Sequence, residues 1–200
     1  MTLAERLRDA LAKGGARKTI LLEGDPRDAS MTDDVVLMPA AVLVAVTDRP
    51  EPGVILTQRT AHMRRHPGQI AFPGGRIDPE DESIVAAALR EAEEEIGLPR
   101  NCVEVIGETD SYRTITGFHV TPVIAVVPPD LELVPHVEEV ADLFEVPLAF
   151  LMEPGNYIEQ AVEWQGRQRR YHEILWGERR IWGATAAMLI NLARRLSWTQ

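Results

Sequence analysis

The sequence predicts one α+β domain in which helices pack on both sides of a mixed sheet, a mixed α/β/α sandwich. The chain has 200 residues, of which 45% are hydrophobic, so it can form one ordinary core. Apolar β-branched runs and helical patterns are mixed along the chain without a strict alternation of strand and helix. No internal repeat divides the sequence. We expect a single domain over residues 35–200, preceded by a helical appendage at residues 1–34 that packs on it.

The predicted elements follow from hydrophobic periodicity and from turn residues. Helices are predicted at residues 3–13, 82–96, 148–152 and 184–196. Strands are predicted at residues 35–46, 54–57, 103–106, 120–127 and 144–146, with a further strand or hairpin at residues 171–182. Residues 59–81 have no clear period and contain several prolines and glycines, which predicts a long ordered loop. Loops of this length often carry function.

The charge balance restricts the partners. The chain has 21 Lys and Arg against 31 Asp and Glu, so its net charge is −10 at pH 7. Most of such a surface would repel a nucleic acid or an anionic membrane, so we expect neither as a partner. Cys102 is the single cysteine, and the charged N-terminus does not resemble a signal peptide. We therefore expect a cytoplasmic protein.

The helix predicted at residues 82–96 carries acidic side chains on one arc. At about 100° per residue, Glu91, Glu94 and Glu95 lie together beside the apolar face, whereas Glu93 lies on the other side. Like charges at this spacing destabilise a helix, and acids near its C-terminus oppose the helix dipole. A divalent cation held by carboxylate oxygens would reverse both effects. For the acidic run taken alone, a solvated face is the alternative.

Two neighbours on this helix favour the cation. Ala87 lies within the acidic arc, where its small side chain leaves room for a ligand. Arg90 lies one turn before Glu94 and can hold a carboxylate in position. In the preceding loop, Gly74 and Gly75 allow the backbone to approach a cation or a phosphate closely.

The loop and the helix together resemble the Nudix box, whose pattern is G-x5-E-x7-R-E-U-x-E-E-x-G-U with U aliphatic. Residues 90–98 match throughout if Ala92 is accepted at the first U position. The first half departs from the pattern, because Asp81 stands where Glu is expected after Gly75, one residue too far from Arg90. Glu82 has the expected distance from Arg90, but it would require a glycine at Arg76. The sequence leaves the choice between Asp81 and Glu82 open.

A second segment points to one branch of the Nudix family. Residues 55–75, ILTQRTAHMRRHPGQIAFPGG, are similar to the motif L-L-T-x-R-[SA]-x3-R-x3-G-x3-F-P-G-G of the coenzyme A pyrophosphatase branch. Only Ile55 and Thr60 deviate, both mildly. The later segments VTPVI at residues 120–124 and WGATA at residues 182–186 also look like this branch.

The resemblance implies a Nudix fold and an attack of water on a diphosphate. Mg²⁺ or Mn²⁺ would bridge Glu91, Glu95 and the substrate oxygens, with Glu94 as a further ligand or as the base. The carbonyl of Gly75 would complete the ligand set. Arg90 is assigned to the catalytic group, and Glu139 is our candidate for a base outside the box. A solvated loop charge is the alternative for Glu139.

The substrate-binding residues are expected in the loop. Arg59 and Arg64 would capture phosphates, the 3′-phosphate of coenzyme A among them, with a solvated loop as the alternative. Gly74 would lie against the substrate. Phe72 is a further candidate contact, although packing beneath the loop is favoured. The Trp-containing hairpin and the final helix are candidates for a homodimer interface.

These residues predict a hydrolase for a small-molecule diphosphate. The leading hypothesis is cleavage of coenzyme A or acyl-CoA to 3′,5′-ADP and 4′-phosphopantetheine or its acyl form. The alternative is a broader hydrolase of nucleoside diphosphate derivatives such as ADP-ribose and NADH. A third hypothesis is a Nudix-fold binding module without catalysis, which the intact acidic set disfavours.

Overall fold

A computed structural model describes residues 1–14, 36–62, 66–164 and 167–196. Its helices are α1 (Leu3–Gly14), α2 (Ile84–Ile96), α3 (Leu148–Met152) and α4 (Ala184–Leu196). Its strands are β1 (Met38–Thr47), β2 (Gly53–Arg59), β3 (Ile70–Ala71), β4 (Gly74–Arg76), β5 (Glu104–Glu108), β6 (Tyr112–Arg113), β7 (Phe118–Val127), β8 (Val140–Pro147), β9 (Ile158–Trp164), β10 (Arg167–Trp176) and β11 (Arg179–Trp182). The expected division of the chain after residue 34 lies outside the described residues and stays a prediction.

The main sheet is mixed. β1 pairs in parallel with β7 along its whole length, from Met38 opposite Phe118 to Thr47 opposite Val127. On its other side β1 changes partner, since β4 pairs with its first half and β2 with its second half, both antiparallel. β8 pairs with β2 along its whole length, and β3 pairs with Thr57 and Gln58 near the end of β2.

Each face of this sheet has its own core. Side chains alternate along β1, so that Leu43 and Ala45 pack with α2 while Val44 and Val46 pack with the cluster of the opposite face. That opposite cluster includes buried residues of α1, α3 and α4. The predicted α+β sandwich is confirmed. None of the described helices is long and apolar enough to cross a membrane.

One sequence-based prediction of local structure was wrong. Residues 59–81 are not only loop, because they contain the short strands β3 and β4. The strand or hairpin expected at residues 171–182 is confirmed, because β10 and β11 pair antiparallel there, and β9 adds a third strand in the order β11-β10-β9. The positions of α3 and α4 are confirmed.

Candidate active site

The helix α2 is defined by a cap at each end. Ser83 has extended backbone, and its Oγ accepts a hydrogen bond from the N–H of Ala86 at 3.0 Å. At the other end Gly97 takes a left-handed conformation with φ of 65°. These caps set the ends of the helix, and packing on the sheet brings its residues Glu91 and Glu95 to β4.

Glu95, in the last turn of α2, is a buried carboxylate. The residue is 6% exposed, and its Oε2 accepts a hydrogen bond from the N–H of Gly74 at 3.0 Å. Burial raises the pKa of Glu95 to about 7, although Gly74 and the guanidinium of Arg59 act in the opposite direction. Arg59 Nη1 lies 4.0 Å from Glu95 Oε1. The carboxylate of Glu95 thus lies between Arg59 and Gly74, two residues of the segment that precedes the box.

Gly75 makes room for Glu91. A Cβ placed on Gly75 would lie 2.5 Å from Cδ of the Glu91 carboxylate. Gly74 is required for a different reason, since its φ is 153° and a Cβ there would lie 2.4 Å from the backbone oxygen of Ala41. Burial raises the pKa of Glu91, and the neighbouring Arg90 opposes this effect. The Gly-Gly pair therefore brings backbone against both carboxylates.

Arg90 organises the exposed side of the cluster. Its Nη1 donates to Glu91 Oε1 at 3.0 Å and to Glu94 Oε2 at 3.2 Å. Its Nη2 donates to the carbonyl of Arg76 at 3.0 Å. The remaining donors bind Asp81, with Nε to Oδ1 at 3.0 Å and Nη2 to Oδ2 at 2.9 Å. One guanidinium thus connects the loop to two carboxylates of α2.

The structure resolves the choice between Asp81 and Glu82. The side chain of Asp81 is 6% exposed, and it also accepts a hydrogen bond from the N–H of Asp78 at 2.8 Å. The hydrogen bonds from Arg90 lower the pKa of Asp81. Glu82 is exposed. Asp81 therefore holds Arg90, and the extra residue of the sequence pattern is taken up before the helix begins.

Two sequence-based assignments are corrected. Phe72, a candidate substrate contact, is 3% exposed and belongs to the core on the face opposite α2, because its ring fills apolar space beneath the loop. Ala87 leaves no space for a ligand, because it is fully buried between α2 and the sheet. Arg64, a predicted phosphate contact, is not among the described residues.

The segment from Pro128 to Glu139, which we call the strap, lies against the end of α2. Its backbone is bonded to the end of α2, with His136 N–H donating to the Glu95 carbonyl at 2.8 Å and Val134 N–H donating to the Ile96 carbonyl at 3.0 Å. Thr60, directly after β2, donates its N–H to the Glu139 carbonyl at 2.9 Å. Backbone contacts of this kind carry no sequence signal, and the sequence analysis missed them.

The strap places Glu139 at the site. The carboxylate of Glu139 is one of the negative charges that raise the pKa of Glu95. Its side chain is 46% exposed, and Oε1 lies 3.8 Å from Nδ1 of His136. Across the described part of the chain, no three His, Cys, Asp or Glu side chains are already gathered as a complete metal-binding group. The carboxylates of Glu91 and Glu94 are instead turned toward Arg90.

Comparison with known proteins agrees with this arrangement. The model of the NUDIX domain family matches residues 37–166, a range that contains β1, β4 and α2. The chain belongs to the Nudix family. It is 43% identical over 160 residues to a protein of Shigella flexneri named as an uncharacterized Nudix hydrolase, NudL, covering 80% of this chain and 83% of the relative. A NudL of Escherichia coli O7:K1 is also 43% identical, over 157 residues, covering 78% of this chain and 82% of the relative.

Among solved structures, the Nudix hydrolase RenU of M. smegmatis matches with a TM-score of 0.49 and 29% identity, covering 59% of this chain and 78% of that chain. The family and the named relatives make this Nudix protein a pyrophosphohydrolase. Nudix hydrolases act on small diphosphates and generally use divalent metal ions.

Proposed function

We propose that this Nudix hydrolase cleaves the diphosphate bond of coenzyme A or of an acyl-CoA in the cytoplasm. The products would be 3′,5′-ADP and 4′-phosphopantetheine or its acyl form. The observation that carries the proposal is the environment of Arg59, which stands in the segment similar to the coenzyme A pyrophosphatase motif. Its Nε is buried and finds no hydrogen-bond acceptor within the described residues.

An arginine donor without an acceptor is costly in a folded protein unless a ligand oxygen binds it. The side chain of Arg59 is 23% exposed, and its guanidinium lies beside Glu95. A phosphate bound next to the carboxylates would supply that oxygen, and a guanidinium matches phosphate geometry well. Arg59 is therefore proposed to bind a substrate phosphate, with Arg64 as a second phosphate contact.

We further propose that Glu91, Glu95 and Glu94 hold Mg²⁺ or Mn²⁺, with the carbonyl of Gly75 as an additional ligand. The donor set fits such an ion, since hard divalent cations prefer carboxylate and carbonyl oxygens. The close approach of Gly75 to the Glu91 carboxylate, which a Cβ would block, supports this arrangement. When bound, the ion would neutralise charge on the diphosphate and make coordinated water more acidic.

The chain's own residues then have distinct tasks in the proposed reaction. Arg90, anchored by Asp81, orients Glu91 and Glu94. The N–H of Gly74 fixes the Glu95 carboxylate. Glu139, carried by the strap, is proposed to accept a proton from the attacking water, and Glu94 is the alternative base.

The test is a substrate panel with purified protein and either Mg²⁺ or Mn²⁺. We expect kcat/KM for coenzyme A to exceed that for dephospho-coenzyme A, NADH and ADP-ribose by at least about tenfold, because the 3′-phosphate is recognised. Similar values for all four would support the broader diphosphate hydrolase instead. Saturable binding without turnover under either metal would support a binding module.

The variant Glu95→Gln tests the proposed metal site directly. Glu95→Gln keeps the shape of the side chain and an oxygen for the Gly74 N–H, but it removes the charge that would hold the ion. We expect product release to fall by on the order of 100-fold or more while the circular dichroism spectrum is unchanged. An unchanged rate would contradict the metal assignment.

The homodimer predicted from the sequence is also kept as a proposal, in a narrower form. α4 is buried within the protomer along most of its length, so it does not offer a second surface. Leu175 and Trp182 on β10 and β11 are 46% and 36% exposed, and they are the proposed contact with a second copy. Sedimentation equilibrium of the wild type and of Trp182→Arg would measure it.

A further inference from the structure

Apart from the carboxylate cluster, a cavity lies on the same side of the sheet as α2. Its volume is about 280 Å³, and none of the acidic residues of α2 lines it. Six of its lining residues are apolar and come from β2, β8 and the strap, namely Ile55, Pro128, Leu131, Leu133, Leu143 and Phe144, while polar atoms make up about half of its exposed wall. One end is polar, because Thr47, Arg49, Asp130 and Glu145 meet there. A cavity of this volume that combines apolar side chains with polar groups at one end can hold part of a small molecule.

At the polar end, the buried Nε of Arg49 has no hydrogen-bond acceptor among the described residues. Arg49 Nη2 lies 3.3 Å from Oε2 of Glu145 and 3.5 Å from Oδ1 of Asp130. Thr47 Oγ1 donates to the other oxygen of Glu145 at 2.5 Å. The Nε of Arg49, in contrast, is buried and has no hydrogen-bond partner in the part of the chain that the structure describes. A ligand oxygen that accepts from this Nε–H would satisfy it.

The charges at the polar end favour an uncharged ligand oxygen over a phosphate oxygen as the acceptor for Arg49 Nε. Two carboxylates, Asp130 and Glu145, stand against one guanidinium, so the polar end carries a net charge of about −1. A phosphate would meet repulsion here, whereas an uncharged amide or hydroxyl oxygen would not. The apolar walls favour a flexible, uncharged chain over a highly solvated group.

The cavity is aligned with the active site along β2. Ile55 lines the cavity and packs in the core beneath α2, while Arg59, four residues further along the same strand, reaches Glu95. Four residues of a β-strand span about 13 Å. Leu143 lies opposite Thr57, between these two positions. The apolar wall therefore lies nearer to the carboxylates, and the polar end lies farther away.

The strap connects the two sites. Leu131 and Leu133 line the cavity, and the next residue, Val134, begins the backbone bonds that hold the end of α2. A ligand in the cavity would thus touch the segment that carries Glu139.

We propose that this cavity binds the uncharged pantetheine arm of the substrate, with an amide carbonyl accepting a hydrogen bond from Arg49 Nε. The inference rests on the proposed function, because it requires a substrate with a phosphorylated end and an uncharged end. The arm runs past Leu143 and Leu133 while the diphosphate stays at the α2 carboxylates. The adenosine end, with its 3′-phosphate, is excluded from the cavity by Asp130 and Glu145.

Binding can be measured without catalysis. In a ¹H–¹⁵N spectrum of the full chain, the side-chain Nε–H signal of Arg49 is assigned by its loss in Arg49→Lys. We expect pantetheine, which has no phosphate, to shift this signal in a saturable manner, and adenosine 3′,5′-bisphosphate to leave it unchanged. No shift with pantetheine, or an equal shift with the bisphosphate, would overturn the inference.

Two variants test the same point kinetically. Arg49→Met removes the donor and keeps an unbranched stem, and Leu133→Trp fills the cavity from the strap. Each is expected to raise KM for coenzyme A about tenfold with little change in kcat, because the arm binds equally in the ground and transition states. Inhibition by adenosine 3′,5′-bisphosphate should keep its wild-type constant, and Glu132→Gln, an exposed neighbour in the strap, should behave as wild type.

The outcomes separate this inference from the proposed function. If coenzyme A is not hydrolysed but pantetheine shifts the Arg49 signal, the function fails and the cavity assignment stands. If coenzyme A is hydrolysed while both cavity variants keep the wild-type KM, the function stands and the cavity assignment fails. A rise of KM accompanied by an equal loss of bisphosphate inhibition would also overturn it, since the variants would then act on the whole site.

Discussion

Asp81 binds the guanidinium of Arg90 in a bidentate manner, through Oδ1 at 3.0 Å from Nε and Oδ2 at 2.9 Å from Nη2. This pair links the loop after β4 to the one arginine that holds both Glu91 and Glu94. Without it, Arg90 would keep its charge but lose the partner that fixes its plane. Asp81 is therefore a positioning residue for the carboxylates.

We expect Asp81→Asn to lower activity by about 10- to 100-fold, because Asp81 positions Arg90 and, through it, the proposed metal ligands Glu91 and Glu94. The metal concentration that gives half-maximal activity should rise in the same variant, because Glu91 and Glu94 are less well placed. Metal titrations of the hydrolysis rate measure both effects. Glu82→Gln is the matched control and should resemble the wild type. A larger loss in Glu82→Gln than in Asp81→Asn would contradict the assignment.

Substitution by alanine should have different consequences at the two adjacent glycines, Gly74 and Gly75. In Gly75→Ala the new Cβ meets the flexible end of Glu91, so the carboxylate moves and the backbone does not. We expect activity to fall by about 100-fold with little change in the melting temperature. In Gly74→Ala the Cβ meets the backbone of β1, so the fold itself should lose about 1–3 kcal/mol.

Thermal melts and rate measurements on both variants check this contrast. Gly155→Ala is the control, because the nearest atom to its Cβ would be at an ordinary distance of 3.5 Å. An active Gly75→Ala enzyme would show that Glu91 does not need its present position.

The helices were predictable because their ends carry local signals. Gly97 ends α2 where the sequence indicates. Ser83 caps the start of the helix at Ile84, two residues after the predicted beginning at residue 82. The strands β3 and β4 were not predictable, because strands of two and three residues show no period. β9 was missed for another reason. Ile158 and Val162 lie on one of its faces but are exposed in the structure, so pairing with β10 along its whole length, and not burial, supports the strand.

The acidic arc of α2 was predictable, but its burial was not. A helical wheel ranks positions by the composition of one helix, and it placed Ala87 on the ligand side. In the structure the buried face is rotated, and it contains both Ala87 and the carboxylate-bearing Glu95. The small side chains of Ala87 and Ala88 let α2 lie close to the sheet, which brings Glu95 under the Gly74 N–H. The contact of Glu95 with Gly74 depends on the pairing of β4 with β1. That pairing is a tertiary contact, which the sequence of α2 does not contain.

The strap supplies a prediction about the proton acceptor. If Glu139 takes a proton from the attacking water, Glu139→Gln should lower kcat by about 100-fold or more and leave KM nearly unchanged. Its neighbour Glu138 is exposed, and only the backbone oxygen of Glu138 is used in holding Thr60. Glu138→Gln should therefore keep the wild-type kcat. Equal rates for the two variants would move the role of the base to Glu94.

The last prediction concerns stability and pH, at a position far along the chain from α2. Glu173, on β10, is 6% exposed and accepts hydrogen bonds from Gln160 Nε2 at 2.9 Å and from Arg180 Nε at 2.5 Å. These bonds hold the pKa of Glu173 below its ordinary value of 4.5. A carboxylate with a lowered pKa stabilises the fold above the pKa of the unfolded chain, and this contribution is lost as the pH falls through the folded-state value.

We therefore expect Glu173→Gln to unfold at lower urea concentration than the wild type at about pH 7, and the difference to shrink as the pH falls well below 4.5. Urea titrations of both proteins over this pH range measure the change in the free energy of unfolding. Glu178→Gln, an exposed substitution in the turn before β11, should follow the wild type at every pH. A stability difference between Glu173→Gln and the wild type that does not change with pH would mean that Glu173 contributes by packing and not by its charge.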